Sequence, residues 1–340
     1  IFDFKQVVEN YVSADNMAFD NSEYKGITTT DDTPHPVHLI DKYSRNKKAA
    51  RWLTIQFKTQ YFDTQFNETE VVDLQNSIDY QMFNGYLKYS DILTMGTAPN
   101  ANDFGFDLSN YNLSAQTDSF LTNAPATQYA NLEDYGTLAF LSPNDNLEYI
   151  KLIYKNSAGV DIGTENINKN WTNGAYTNFT TKISEKLLYF GCFPANLQNW
   201  SGTFQALVSA GTIQGGSIVV QAFSFSVTVG ISKAYTINVN CPNLKGFESI
   251  RLCWLNQWGA WDYYTFTQKS VRSISTKGST YEQLAGTWNE AAYRVDSYKG
   301  GKKAFRVNAT EKITMNSDFV SESENDMFEE LINSPEVYIL

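Results

Sequence analysis

Cysteine, histidine and basic charge are scarce in this sequence, and each shortage removes a class of function. There are three cysteines, Cys192, Cys241 and Cys253. An odd number without close spacing is neither a disulfide framework nor a paired-thiol metal site. Cys241 and Cys253 lie in apolar strand contexts, where buried free thiols are expected, so folding is expected in a reducing compartment. The two histidines fall together in His35-Pro36-Val37-His38. The proline denies that segment a helix face, and no neighbouring cysteine or histidine completes a zinc site. A Ser-His-Asp triad would have to use one of them, and no Gly-x-Ser-x-Gly elbow is present. Gly215-Gly216 and Gly300-Gly301 lack the following Lys-Ser/Thr of a phosphate-cradling loop. No apolar run reads as a signal peptide or is long enough to span a bilayer.

Basic residues are outnumbered 26 to 37, for a net charge of −11, which argues against a nucleic-acid-binding face. The short basic runs, Arg45 to Lys48 with Arg51 following and Lys299 to Lys303, read as solvated loops. Carboxylates are plentiful (Asp31, Asp32, Asp103, Asp107, Glu133 and Asp134 among them), but no spacing singles out a glycosidase pair. The spaced oxygen ligands of an EF-hand loop are also missing. No catalytic, metal-binding or cofactor-binding residues are assigned.

What the sequence does have is aromatic side chains, 15% of its residues against 19% charged. That balance suits β-structure and large buried surfaces. Its centre is Ile250 to Phe266, which reads as strand, tight turn, strand. Ile250, Leu252 and Trp254 alternate onto one face. Asn256 to Ala260 hold the turn, with Gly259 free to take positive φ. Asp262, Tyr264 and Phe266 alternate with Tyr263 and Thr265 on the return strand. Three of the seven tryptophans, Trp254, Trp258 and Trp261, fall within this run. So aromatic a turn needs a cover, either the domain's own core or another protein. Trp254, Asn256, Trp258, Gly259, Trp261, Asp262, Tyr264 and Phe266 are therefore the candidate structural or interface residues. Trp171, Trp200, Trp258 and Trp261 are also candidates for sugar stacking.

Elsewhere the pattern is a meander. Arg51 to Phe62, Thr137 to Leu141, Leu147 to Tyr154, Val160 to Ile162, Leu187 to Phe190, Phe223 to Val229, Tyr235 to Val239, Lys269 to Thr276 and Phe305 to Ile313 read as strands. Asn84-Gly85 reads as a hairpin turn, and Pro194 to Leu197 as a loop. Helices are expected near the N-terminus, at about 3–12, and near the C-terminus, at about 322–332, where Ser323 caps and Met327, Phe328, Leu331 and Ile332 form the apolar face. The expected fold is mainly β, with antiparallel β-sandwich-like domains. The domains expected are 1–165, 166–320 with the 250–266 hairpin, and 321–340 as a helix and the start of a further strand. The chain opens in an apolar helix pattern and stops in an apolar run, Val337 to Leu340, so it reads as the ordered part of a longer polypeptide. Six Asn-x-Ser/Thr sequons occur, as composition alone would yield.

Several segments resemble virion structural proteins of tailed bacteriophages, as in phages of marine and gut Bacteroidetes, including crAss-like phages. They are Phe120 to Gln128, Leu132 to Leu141, Gly191-Cys-Phe-Pro-Ala-Asn-Leu197, Leu331 to Tyr338 and, most strongly, Ile250 to Phe266. They occur in the family's order and span most of the chain. The family's hairpin usually has glycine where Ala260 stands and phenylalanine where Trp261 stands. The resemblance implies a non-enzymatic subunit of a tail, neck or tail-hub ring, made in the host bacterial cytoplasm and located in the virion. Its partners would be copies of itself and other tail, neck or portal-proximal proteins. Separately, the net charge of −11 would suit a lumen that lets DNA pass without specific binding. No membrane insertion is implied. A tail-tip receptor- or glycan-binding module is the alternative.

Overall fold

A computed structural model describes residues 115–141, 147–168, 187–224, 229–241, 246–282, 301–317 and 319–340, together with 7, 10–12, 16–17, 35–36, 43–45, 50–57, 60–62, 68–70, 75–76, 80–83, 85–86, 111, 113 and 291–292. The chain is mainly β, built from several antiparallel sheets with a few short helices. In chain order the early strands are β1 (Asn16–Met17), β2 (His35–Pro36), β3 (Tyr43–Arg45), β4 (Ala50–Leu53), β5 (Gln56–Phe57), β6 (Gln60–Phe62), β7 (Glu68–Glu70), β8 (Gln75–Asn76) and β9 (Tyr80–Phe83). They pair as β1 with β2, β4 with β9, β5 with β8 and β6 with β7. The single strand expected over Arg51 to Phe62 is thus three short ones. Asn84 of the expected Asn84-Gly85 turn lies outside the described residues, as do His38, Trp171 and most of the helix expected at 3–12. Of that helix only Val7 is seen helical, and Val12 is buried.

The remaining strands are β10 (Thr127–Ala130), β11 (Thr137–Leu141), β12 (Leu147–Lys155), β13 (Asp161–Asn168), β14 (Leu187–Gly191), β15 (Ser217–Ser224), β16 (Tyr235–Val239), β17 (Ile250–Leu255), β18 (Trp261–Phe266), β19 (Val271–Glu282), β20 (Lys302–Thr314) and β21 (Val337–Ile339). Strands β10, β16, β15, β12 and β13 form one sheet in that order, β10 parallel to β16 and the rest antiparallel. Alternation dictates which face is inside. Ile150, Leu152 and Tyr154 of β12, Ile218, Val220 and Ala222 of β15, and Tyr235, Ile237 and Val239 of β16 are buried, while residues between them are half-exposed. A second sheet, β11-β14-β3, sets β14 between two neighbours, and all five residues of β11 are buried. Side chains from both sheets enter one hydrophobic cluster, a sandwich-like arrangement.

Helices α1 (Pro194–Trp200) and α2 (Gly202–Ser209) replace the loop expected at Pro194 to Leu197. Proline at the first helical position costs nothing there, because that N–H has no helical partner to lose. Ser201 ends α1 and caps α2, its Oγ accepting from the Phe204 amide at 2.8 Å. A 3-10 turn (Glu322–Glu324) leads into α3 (Asn325–Asn333). Ser321, rather than Ser323, stands at the start of that turn: its amide donates to Glu324 Oε2 at 2.6 Å and its hydroxyl to the same oxygen at 3.0 Å.

The chain divides into two compact units. The first holds 1–244, 251–265 and 319–340; the second holds 245–250 and 266–318. The boundary expected at 165/166 instead falls inside β13, and strands from both sides of it share the five-stranded sheet. In the second unit β19 and β20 pair along their whole length, with a bulge where Ser279 faces Arg306 and Thr280 faces Ala304. Nearly every residue of this ribbon is exposed. Lys302 and Lys303, expected in a loop, lie on its second strand.

Candidate functional site: the buried aromatic hairpin

Strands β17 and β18 are neighbours in a sheet completed by β21, which pairs antiparallel with β17. The whole of β17 is buried, so Arg251, Cys253 and Leu255 are covered as fully as Leu252 and Trp254. The alternation seen in the sequence distinguishes two faces, but both are inside. Of the candidate residues, Trp254, Asn256, Trp258, Trp261 and Asp262 are buried within this chain, and Tyr264 and Phe266 are half-exposed. The hairpin is core.

Its tip is set by Asn256. The side-chain Oδ1 accepts from the amides of Trp258 and Ala260, each at 3.0 Å. The Asn256 amide donates to the Ala260 carbonyl at 2.8 Å, and the Gly259 amide to the Asn256 carbonyl at 3.1 Å. Gly259 takes φ +73°, a left-handed conformation that a Cβ opposes. Tyr111 lies over Trp258, ring centroids 4.1 Å apart. On the other side Gly85 abuts the turn so closely that a Cβ there would lie 1.9 Å from the Gln257 carbonyl oxygen.

Below the tip is a network of buried polar groups. Asn256 Nδ2 donates to the Leu121 carbonyl at 2.8 Å and to Asp262 Oδ2 at 3.2 Å. The Thr122 hydroxyl donates to Asp262 Oδ1 and itself accepts from the Ala124 amide. Glu330, fully buried on α3, accepts from Asn123 Nδ2 at 2.7 Å, and its carbonyl accepts from the Tyr86 hydroxyl at 2.9 Å. Burial pushes the Asp262 carboxyl up to about 6, against the pull of hydrogen bonds from Thr122, Asn256 and Glu330. Glu330 takes a place on the inner face of α3, while Ile332, expected there, is 82% exposed.

A second network lies along β17. Arg251 Nε donates to the Tyr135 carbonyl at 2.7 Å, and Nη1 reaches Thr265 Oγ1 at 2.7 Å and Asp134 Oδ2 at 3.3 Å. The Thr265 hydroxyl closes the triangle onto Asp134 at 2.8 Å. The guanidinium stacks over Phe193 and Tyr263, 4.8 and 5.0 Å from the ring centres. Burial lowers the Arg251 pKa and Asp134 opposes the shift. Cys192 and Cys253 are buried free thiols, whereas Cys241 is exposed, contrary to expectation. Burial pushes the Cys192 thiol up and the Cys253 thiol up to about 12, so neither is a nucleophile near neutral pH.

Chemically, these groups fasten segments that are far apart in the chain. Asp262, Asn256 and Glu330 join the loop at 121–124, the hairpin and α3; Arg251 joins β17 to the loop at 134–135. The sequence pattern identified Asn256, Gly259 and Asp262 and named Asp134 only as one carboxylate among many, but missed Thr122, Glu330 and Arg251. A charged residue amid an apolar strand is the signal that could have found Arg251. Among the described residues, no group of three His, Cys, Asp or Glu side chains is disposed to hold a metal ion, and no helix is long and apolar enough to cross a membrane. Compared with family models, curated proteins and solved structures, the chain matches none.

Proposed function

We propose that this chain is a non-enzymatic structural subunit of a tailed-phage virion, a ring-forming component of the tail, neck or tail hub. The observation that carries the reading is the hairpin. The run with the strongest resemblance to virion structural proteins is a buried core element whose polar side chains tie strands together. Rigid β-units held this way suit a subunit whose role is geometric, with cyclic symmetry closing the assembly. Its partners are then copies of itself and adjoining tail, neck or portal-proximal proteins, with DNA passing through without specific contact.

The glycan-binding alternative drew on Trp171, Trp200, Trp258 and Trp261; Trp258 and Trp261 are only 4% and 3% exposed and offer no ring face to a sugar, Trp200 is half-buried, and Trp171 lies outside the described residues. The test is to image the purified chain by electron microscopy and to locate it in intact particles with an antibody. Closed rings and labelling of a tail or neck are expected. A chain absent from the particle would overturn the reading.

A further inference from the structure

The β19–β20 ribbon has two faces of different chemistry. Register and alternation place Lys277, Lys303, Arg306 and Lys312 on one face, among Ser273, Ser275 and other hydroxyl side chains and with no acid. The opposite face carries Ile274, Val307 and Ile313, and its charges balance: Arg272 and Lys302 against Glu282 and Glu311. Ile274 is 69% and Val307 58% exposed. A two-stranded ribbon in water is marginal at best, and this one has no core of its own. Its fastenings are at the base, where Arg272 meets Glu248 at 2.9 Å and Asn316 Nδ2 donates to the Lys269 carbonyl at 2.7 Å.

From this we infer that the ribbon is a docking arm whose occupant is a second copy of this chain: its cationic face lies against the acidic surface of the neighbouring subunit. Charge complementarity identifies the occupant. The ribbon holds six basic and two acidic residues, which leaves the rest of the chain 20 basic against 35 acidic. DNA would also satisfy the cationic face, but the acidic remainder of the chain would repel it. An arm of one copy on the body of the next is a heterologous contact, the kind that closes into a ring or runs on as a filament. The arm rests on the structural-subunit reading and supplies its assembly contact. It also covers the basic face that an acidic lumen could not expose.

The test uses the full chain and the variant K277E/R306E/K312E, altered only at exposed positions and checked for native circular dichroism. Association is followed by sedimentation velocity from about 50 mM to about 500 mM salt, across which screening shortens the reach of surface charge severalfold. Wild type is expected to assemble and to weaken with salt, and the variant to associate at least about tenfold more weakly. Because the variant keeps its acidic body, it should still accept a wild-type arm, so doping it into wild type should cap assemblies and leave rings open. Wild-type rings that the variant forms equally well would overturn the docking arm while leaving the subunit reading intact. A wild type that stays monomeric at low salt would overturn both. Wild type retaining a labelled duplex DNA that the variant releases, with assembly unchanged, would assign the arm to DNA instead. Should the variant misfold, the conservative K277Q/R306Q/K312Q replaces it under the same expectations.

Discussion

Gly85 and Gln257 are 172 positions apart in the chain, yet the space for a Gly85 side chain is taken by the Gln257 carbonyl oxygen, 1.9 Å from where a Cβ would stand. The obstacle is backbone at the tip of the buried hairpin, so it cannot swing aside like a flexible side chain. Gly85→Ala should destabilise by about 1–3 kcal/mol, as overpacking does. Gly202→Ala is the control: nothing lies within 4 Å of its Cβ, and it opens α2. That change should be neutral or stabilising by up to about 1 kcal/mol. Urea midpoints of the two variants check the contrast, and equal midpoints would refute the close approach.

Gly259 tests the turn itself. A β-branched residue is a genuine outlier at its φ of +73°. Gly259→Val is expected to prevent folding or assembly, and Gly259→Asn to be tolerated, because asparagine visits that region. Soluble yield and melting temperature are the readouts. Normal folding of the valine variant would contradict the conformation described.

Removing either partner of the Arg251–Asp134 pair leaves a buried charge alone. Arg251→Met and Asp134→Ala should each cost about 3–5 kcal/mol. Because the two share one network, the double variant should cost clearly less than the two losses added together. A double-mutant cycle by chemical denaturation measures this, and additivity would show that the contact contributes nothing.

Asp262 sets a pH dependence. Burial raises its folded-state pKa from the ordinary carboxyl value to about 6, so the folded chain binds this proton more tightly than the unfolded chain. The proton's contribution to stability is complete below the unfolded value of about 4 and is lost as pH rises through about 6. Wild-type stability, measured relative to Asp262→Asn, should therefore fall between about pH 4 and pH 6 and then level off. Urea midpoints at four pH values decide it; a difference that rises with pH in that window would reverse the assignment.

How much of this was legible in the chain differs from element to element. In β16, Tyr235-Thr-Ile-Asn-Val239 alternates strictly and lies with one face in the core, because a sheet with one covered side writes its exposure into every second residue. The hairpin turn was legible for a similarly local reason: Gly259 supplies the conformation and Asn256 the side-chain acceptors within four residues. Helix α1 was not. It is seven residues long, has no side-chain cap, and starts at Pro194, a residue that signals a loop as readily as a helix start.

Local patterns therefore established the mainly β class, most of the strands and the hairpin with its glycine. Partnership at a distance was settled in three dimensions. Asp262 meets Thr122, 140 residues away, and Glu330 was drawn inside on a helix whose apolar pattern placed Ile332 there. Trp258 and Trp261 called for a cover that could be the chain's own core or another protein until other segments were seen to close over them, and Ile274 and Val307 on the ribbon read as ordinary strand residues although nothing in their unit covers them. The physical reason is one of range. Backbone preference and alternation act within a few residues, whereas burial, buried hydrogen bonds and ion pairing depend on which distant segments fill the remaining space.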